Sequence, residues 1–228
     1  MTETAQHLRT IPLFPLATVA LFPAVRVPLY IFEPRYREMT EAALEGERVI
    51  GMVTVLPEGR TAMAGDPEIH PIGCLGLIDG AKRRPDGTWD IALEGIARFE
   101  VECEIDKPEG RLFRDARVRM LDEEAVSQPA QQEEIDRLRV EVHRSYGAAL
   151  RLLAPQYVDA FHARDFDSVP DDVYVNTVCL SLDIDTVDKQ CLLECPGTRA
   201  RLERVLAVLE FKIAELNARG SATSKTLQ

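Results

Sequence analysis

Prolines at positions 12, 15, 23 and 28 punctuate the longest apolar stretch of the chain, Ile11 to Phe32, and they limit what that stretch can become. Each proline lacks an amide donor, and its ring obstructs the preceding helical turn, so a continuous helix is excluded. With Arg26 inside the same stretch, a membrane-spanning helix is excluded too. The segment must be extended and looped, and its prolines argue against a regular central strand. On that argument Phe14, Phe22 and Phe32 sit near the surface, lining an apolar groove for an extended partner peptide. The plainer reading places them in the core and in rigid turns.

The rest of the first half reads as β-rich. Short apolar runs at Leu29–Phe32, Val49–Leu56, Cys74–Ile78 and Trp89–Leu93 have strand composition. The last two flank Pro85-Asp86-Gly87, a hairpin turn signal. From Phe99 to Ile105, Phe99, Val101, Cys103 and Ile105 alternate with Glu100, Glu102 and Glu104. Such alternation buries one face and leaves a carboxylate stripe on the other. Ala116 to Met120 alternates as well, with Arg117 and Arg119 on its polar face. Pairing of the two strands would set arginines across from glutamates, so the stripe is structural and solvated rather than a catalytic acid pair. One helix interrupts the strands, opened by Pro34, carried by Tyr36, Met39 and Ala43, and closed by Gly46.

The period then changes. Ile135, Leu138, Val142, Tyr146, Ala149 and Leu153 share one face of a helix from Glu133 to Leu153. A capping signal at Ser168–Asp171 opens a second helix to Leu182, Asp185 opens a third to Glu194, and Thr198 to about Leu216 forms the last. The expected organisation is a β-rich lobe at 10–121, a linker at 122–132, a helical bundle lobe at 133–216 and a flexible tail at 217–228.

Composition bears on function mainly by exclusion. A formal net charge of −11 repels phosphate backbones and anionic lipid, which argues against a nucleic-acid or membrane partner. The basic cluster Lys82, Arg83 and Arg84 sits beside the hairpin turn and reads as solvated. There is no G-x-x-x-x-G-K-[ST] phosphate loop and no G-x-S-x-G nucleophile turn, so no catalytic residue is assigned. Cys191 and Cys195 lack a second thiolate pair, and His7, His70, His143 and His162 are scattered, so neither metal nor other cofactor is expected. Five cysteines, an odd number, with no basic-then-apolar leader over Met1 to Arg9 point to free thiols in a cytoplasmic protein.

Three blocks carry a family resemblance: Ile11-Pro-Leu-Phe-Pro-Leu16, Leu21-Phe-Pro23, and Val27-Pro-Leu-Tyr-Ile-Phe-Glu-Pro-Arg-Tyr-Arg37. They resemble the opening of the Lon protease N-terminal, substrate-binding domain. Gly51, Ile72-Gly-Cys-Leu-Gly76, Pro85-Asp-Gly87, Gly95-Ile-Ala-Arg-Phe99, Lys189-Gln-Cys-Leu-Leu-Glu194 and Arg201-Leu202 continue the likeness over residues 10–216. Tyr30 departs from it, because the family often has histidine there.

The resemblance implies an α+β fold, a PUA-like β pseudobarrel followed by a C-terminal helical bundle. It also implies a non-catalytic module for unfolded or tagged polypeptide, acting as an adaptor in protein quality control, since the family's serine and lysine lie in a domain outside this match. A small-ligand or enzymatic role using a pocket between the lobes is the alternative. The candidate binding residues are Phe14, Phe22, Phe32, Arg35, Tyr36 and Arg98. Glu33 and Arg35 are expected to satisfy the helix's N-terminal amides or each other, and Arg98 to anchor a neighbouring loop through its forked donors.

Overall fold

The computed structural model of the chain describes residues 8–62, 65–163 and 166–225, with side chains described except at 60–62, 162 and 219–225. Its described residues form a six-stranded mixed sheet and six α-helices, an α+β fold. In chain order these are β1 (Leu8–Leu16), β2 (Arg26–Ile31), α1 (Pro34–Glu45), β3 (Val49–Thr54), β4 (Ile72–Arg83), β5 (Trp89–Ile105) and β6 (Arg114–Met120), then α2 (Pro129–Leu153), α3 (Val158–His162), α4 (Asp171–Ser181), α5 (Thr186–Leu193) and α6 (Thr198–Lys225). None of these helices is long and apolar enough to cross a membrane.

The proline-rich segment forms a central strand after all. β1 pairs antiparallel with β6 over Leu8 to Leu13 and parallel with β3 over Leu13 to Leu16. Pro12 is matched only with Asp115 of β6, and Pro15 only with Val53 of β3. Each proline thus sits where the strand has a ladder partner on one side only, so a missing amide need not cost a bond. The strand order β5-β4-β3-β1-β6 closes into a ring because β6 also pairs with β5. Inside it Ile11, Leu13, Val53, Leu75, Phe99, Ala116 and Val118 form the core cluster.

The strand from Phe99 follows its alternation only part of the way. Phe99 is buried and Val101 half-buried, but a register shift between Val101 and Cys103 leaves Cys103 and Ile105 exposed. Arg119 pairs with Glu100, and Arg117 lies 3.9 Å from Glu102, so the arginines do face the stripe. The hairpin forms at Pro85-Asp86-Gly87: Arg84 N–H donates to the Thr88 carbonyl at 2.8 Å, and Asp86 Oδ1 accepts from the Thr88 hydroxyl at 2.7 Å. Gly87 occupies the left-handed region at φ 81° that the turn requires.

The chain divides into two compact units, Met1–Asp122 with Cys179–Glu194, and Glu123–Val178 with Cys195–Gln228. Periodicity alone assigns Cys179–Glu194 to the helical lobe, yet it groups with the sheet. Gln190 Nε2 donates to the Ile72 carbonyl at 2.9 Å, and Leu192 and Leu193 are buried. Asp185 caps α5, accepting from the Val187 N–H at 2.9 Å. In the second unit α2 starts at Pro129, earlier than expected, because Gln131 Oε1 accepts from the Ser127 and Gln128 amides at 2.9 and 3.1 Å. Ile135, Leu138, Val142, Leu202, Val205 and Leu209 are buried in it, while Leu153 is half-exposed. Arg201 is also fully buried, donating to Asn176 Oδ1 at 2.8 Å and to the Cys195 carbonyl at 3.1 Å, with Glu123 at 3.4 Å. The helix drawn to Leu216 continues to Lys225, and residues 226–228, like His7, lie outside the described residues.

One close approach fixes the loop between β1 and β2. Ala24 N–H donates to the Gly95 carbonyl at 2.8 Å, and Gly95 N–H to the Val25 carbonyl at 2.9 Å. A Cβ on Gly95 would collide with the carbonyl group of Phe22, which is backbone and cannot swing aside. Gly95→Ala should therefore cost about 2–3 kcal/mol in urea unfolding; a variant as stable as the parent would show that this loop is not clamped.

Candidate functional site

The six candidate residues separate by burial. Phe14 and Phe22 are core, at 3% and 0% exposure, and Tyr36 packs edge-on against Phe14 with ring centroids 4.6 Å apart. Tyr36 also donates its hydroxyl to the Pro15 carbonyl at 3.0 Å, so it ties α1 to β1. Strand pairing and the Gly95 clamp explain the sorting. Once β1 is a central strand, Phe14 lies on the face opposite Leu13, where Tyr36 of α1 covers it, and the Gly95 clamp fixes the loop that carries the buried Phe22.

Arg98 is buried and donates from Nη1 to the Leu193 and Glu194 carbonyls at 3.3 and 3.4 Å. It therefore anchors the C-terminal end of α5, where a cation also meets the helix dipole favourably. Arg35 donates from Nε to Glu33 at 3.0 Å and from Nη1 to the Gly65 carbonyl at 3.0 Å, and lies 4.4 Å over the Tyr36 ring. Glu33 makes no side-chain cap to α1. The pair satisfies each other, not the helix amides.

Phe32 alone of the three phenylalanines reaches solvent. It is 59% exposed and stacks on Tyr30, itself 48% exposed, with centroids 5.8 Å apart and planes 29° apart. Tyr30 lies in β2 and Phe32 one residue past its end, at one edge of the sheet, where among the described residues only β5 pairs with β2. Along β2 the exposed residues Arg26, Pro28 and Tyr30 alternate with more buried ones, so they share a face.

The basic cluster turns out to frame this patch. Arg84 lies 4.7 Å over the Tyr30 ring while forming a two-point ion pair with Asp90 at 2.8 Å. Arg83 is 3.5 Å from Glu41 and 5.9 Å over Trp89, and Arg26 is 2.7 Å from Asp79. Each arginine has a carboxylate partner, so the patch presents aromatic surface with compensated charge rather than a basic stripe. Sequence reasoning missed Tyr30 and Arg84 as neighbours of Phe32. The signal available was that residues two apart on a strand share a face.

The thiols divide as well. Cys74 and Cys179 are buried, Cys191 and Cys195 half-buried and Cys103 exposed, all as free thiols. Among the described residues no group of three or more His, Cys, Asp or Glu side chains is placed to hold a metal ion.

These residues and the fold that carries them define a class. The sequence profile of the ATP-dependent protease La (LON) substrate-binding domain matches residues 10–210, and the chain belongs to that family. It is similar to the Lon protease of Rhizobium meliloti (strain 1021), with 28% identity over 94% of this chain and 26% of that protein. Against the Lon protease of Escherichia coli (strain K12) the identity is 24% over 89% of this chain and 25% of that one. The chain thus spans about a quarter of the length of these relatives. The N-terminal domain of Mycobacterium avium complex Lon protease shares the fold at a TM-score of 0.66 and 17% identity, covering 89% of this chain and 98% of that one. The Lon N-terminal domain protein from Xanthomonas campestris does so at 0.57 and 19%, covering 87% and 98%.

Burial pushes the Tyr36 hydroxyl up to about 12, well above the ordinary tyrosine value of 10. An unfolded chain ionises this group near 10, so the stability it contributes is complete below that pH and is lost as pH rises from 10 towards 12. Tyr36→Phe should lower stability by about 1 kcal/mol at neutral pH through the lost hydrogen bond, and should flatten the fall between pH 10 and 12. Urea titrations across that range check both; an unchanged slope would mean that Tyr36 ionises freely in the folded protein.

Proposed function

We propose that this chain is a non-catalytic binding module for unfolded or tagged polypeptide, working in the cytoplasm as an adaptor in protein quality control. The observation that carries the reading is the exposed Tyr30–Phe32 stack at the end of an edge strand. Burying two large aromatic rings against a partner is the strongest contribution such a surface can make. Membership of a substrate-binding family supports a polypeptide as that partner. The absence of a phosphate loop and of a nucleophile turn from the sequence supports a module without chemistry of its own. The net charge of −11 favours this reading over RNA binding.

The edge strand itself argues for side-chain contact rather than strand addition. Pro28 sits in the middle of β2 and removes a donor there. The partner is accordingly read through its apolar side chains, with little dependence on salt. Ordering a flexible chain offsets much of the contact energy, which leaves micromolar affinity, about −8 kcal/mol.

Fluorescence anisotropy with labelled, reduced and carboxymethylated α-lactalbumin, a permanently unfolded chain, tests this. Phe32→Ser and Tyr30→Ser should remain folded and each weaken binding about tenfold, in line with roughly 1.4 kcal/mol for a lost aromatic contact. Phe22→Ser, by contrast, should fail to fold cooperatively because that ring is core. Full affinity in a folded Tyr30→Ser, Phe32→Ser double variant would remove the patch from consideration.

A further inference from the structure

The sheet face that carries Tyr30 continues across three strands, and the ladder fixes what lies beside it. Directly opposed residues of antiparallel strands point to the same face. Tyr30 of β2 is opposed to Asp90 of β5, and Asp90 to Lys82 of β4. Two residues along, Pro28, Ala92 and Gly80 form the next row on that face, and two further on Arg26 and Glu94 stand in a third. Ile91 and Leu93, which alternate with these positions on β5, are buried.

The outer rows each hold one unpaired charge. Among the described residues the side chains of Lys82 and Glu94 are exposed and make no hydrogen bond or ion pair. Asp90, across from Lys82, is engaged by Arg84 through two bonds of 2.8 Å. Arg26, across from Glu94, is engaged by Asp79 at 2.7 Å. A cation and an anion thus stand on opposite sides of the middle row, four residues apart along the ladder, or about 14 Å. Their opposite signs leave no net attraction for a chain of random sequence, only for one that places its own charges to match.

The middle row between them is low. A Cβ on Gly80 would meet Arg26 Nη2 at 3.6 Å and the Ala92 methyl at 3.8 Å, both ordinary contacts, so nothing crowds the place of the missing side chain. The exposed Tyr30 ring borders this depression on one side.

We infer that this face recognises an extended polypeptide segment, lying along the strands, with an acidic, an apolar and a basic side chain at alternate positions. Alternate residues of an extended chain point the same way and repeat at about 7 Å, which is the spacing of the rows. The acid meets Lys82, the apolar side chain settles over Gly80 and Ala92 beside the Tyr30 ring, and the base meets Glu94. The inference rests on the polypeptide-binding reading above and deepens it, because it names the pattern that the Tyr30 side of the surface selects.

Fluorescence anisotropy on the full chain tests it, with fluorescein-labelled twelve-residue peptides of glycine and serine around a Glu-Ser-Leu-Ser-Lys core. The control has the same composition with a Ser-Glu-Leu-Lys-Ser core, in which the charges point away from the face that the leucine presents. The alternating peptide should bind about fivefold more tightly, an advantage that fades as salt rises. Lys82→Glu should transfer the preference to a Lys-Ser-Leu-Ser-Lys core, and Glu94→Lys to a Glu-Ser-Leu-Ser-Glu core, since each reverses one sign. Gly80→Val should fold, its Cβ having room, and should weaken the alternating peptide by occupying the apolar seat.

Equal binding of the alternating and control peptides, or charge reversals that leave the preference unmoved, would overturn the inference; the module reading stands if Phe32→Ser still weakens binding of unfolded α-lactalbumin. If Phe32→Ser and Tyr30→Ser are without effect as well, both are overturned. Concentration-dependent self-association that Lys82→Glu abolishes would assign the face to a second copy of the chain and overturn the inference.

Discussion

Strand β1 is the piece on which the sheet unit depends. It alone joins β3 to β6, parallel on one side and antiparallel on the other, and without it the ring of five strands stands open. Ile11 and Leu13 come from the same strand and reach the centre of the core cluster. The Tyr36 hydroxyl on the Pro15 carbonyl then fixes α1 against it. Closing the ring also removes the free edges that five short strands would otherwise offer to aggregation. β2, outside the ring and paired with β5 alone, is left as the edge, and that is where the exposed aromatics lie.

The proposed function rests on this sorting of aromatic side chains. Phe14 and Phe22 come from the same proline-punctuated region as Tyr30 and Phe32, and differ from them only in where the backbone runs. Two are buried in the core and two stay exposed. Arg98 and Arg35, which in a sequence look like recognition residues, are occupied in holding α5 and the Gly65 region in place. Arginine forks serve such backbone anchoring well because their donors are rigidly spaced.

Local chemistry was the legible part. The turn at Pro85-Asp86-Gly87, the cap at Asp185, the helix opened by Pro34 and the arginines across from the glutamate stripe depend on residues close in sequence or on simple alternation, and each appears where that chemistry places it. What stayed hidden depends on partners far along the chain. Pro12 and Pro15 read as strand breakers until the one-sided pairing of β1 is known. Nothing near Gln190 announces a bond to the Ile72 carbonyl 118 residues away, so α5 could not be assigned to the sheet from periodicity. The burial of Phe14 and Phe22 had the same cause. The family resemblance located the fold because its motifs record these long-range constraints together, such as the glycine at 95 that the Phe22 carbonyl requires.

The central claim is that the fold buries Phe14 and Phe22 and leaves Tyr30 and Phe32 to meet polypeptide. Site-specific photo-crosslinking addresses it directly, with benzoylphenylalanine placed at Phe32 and, separately, at Phe211 of α6, which is 74% exposed but belongs to the other unit. Irradiation with a carboxymethylated, unfolded protein should give an adduct from position 32 and little from position 211. Equal labelling at the two positions, or labelling at 211 alone, would contradict the account.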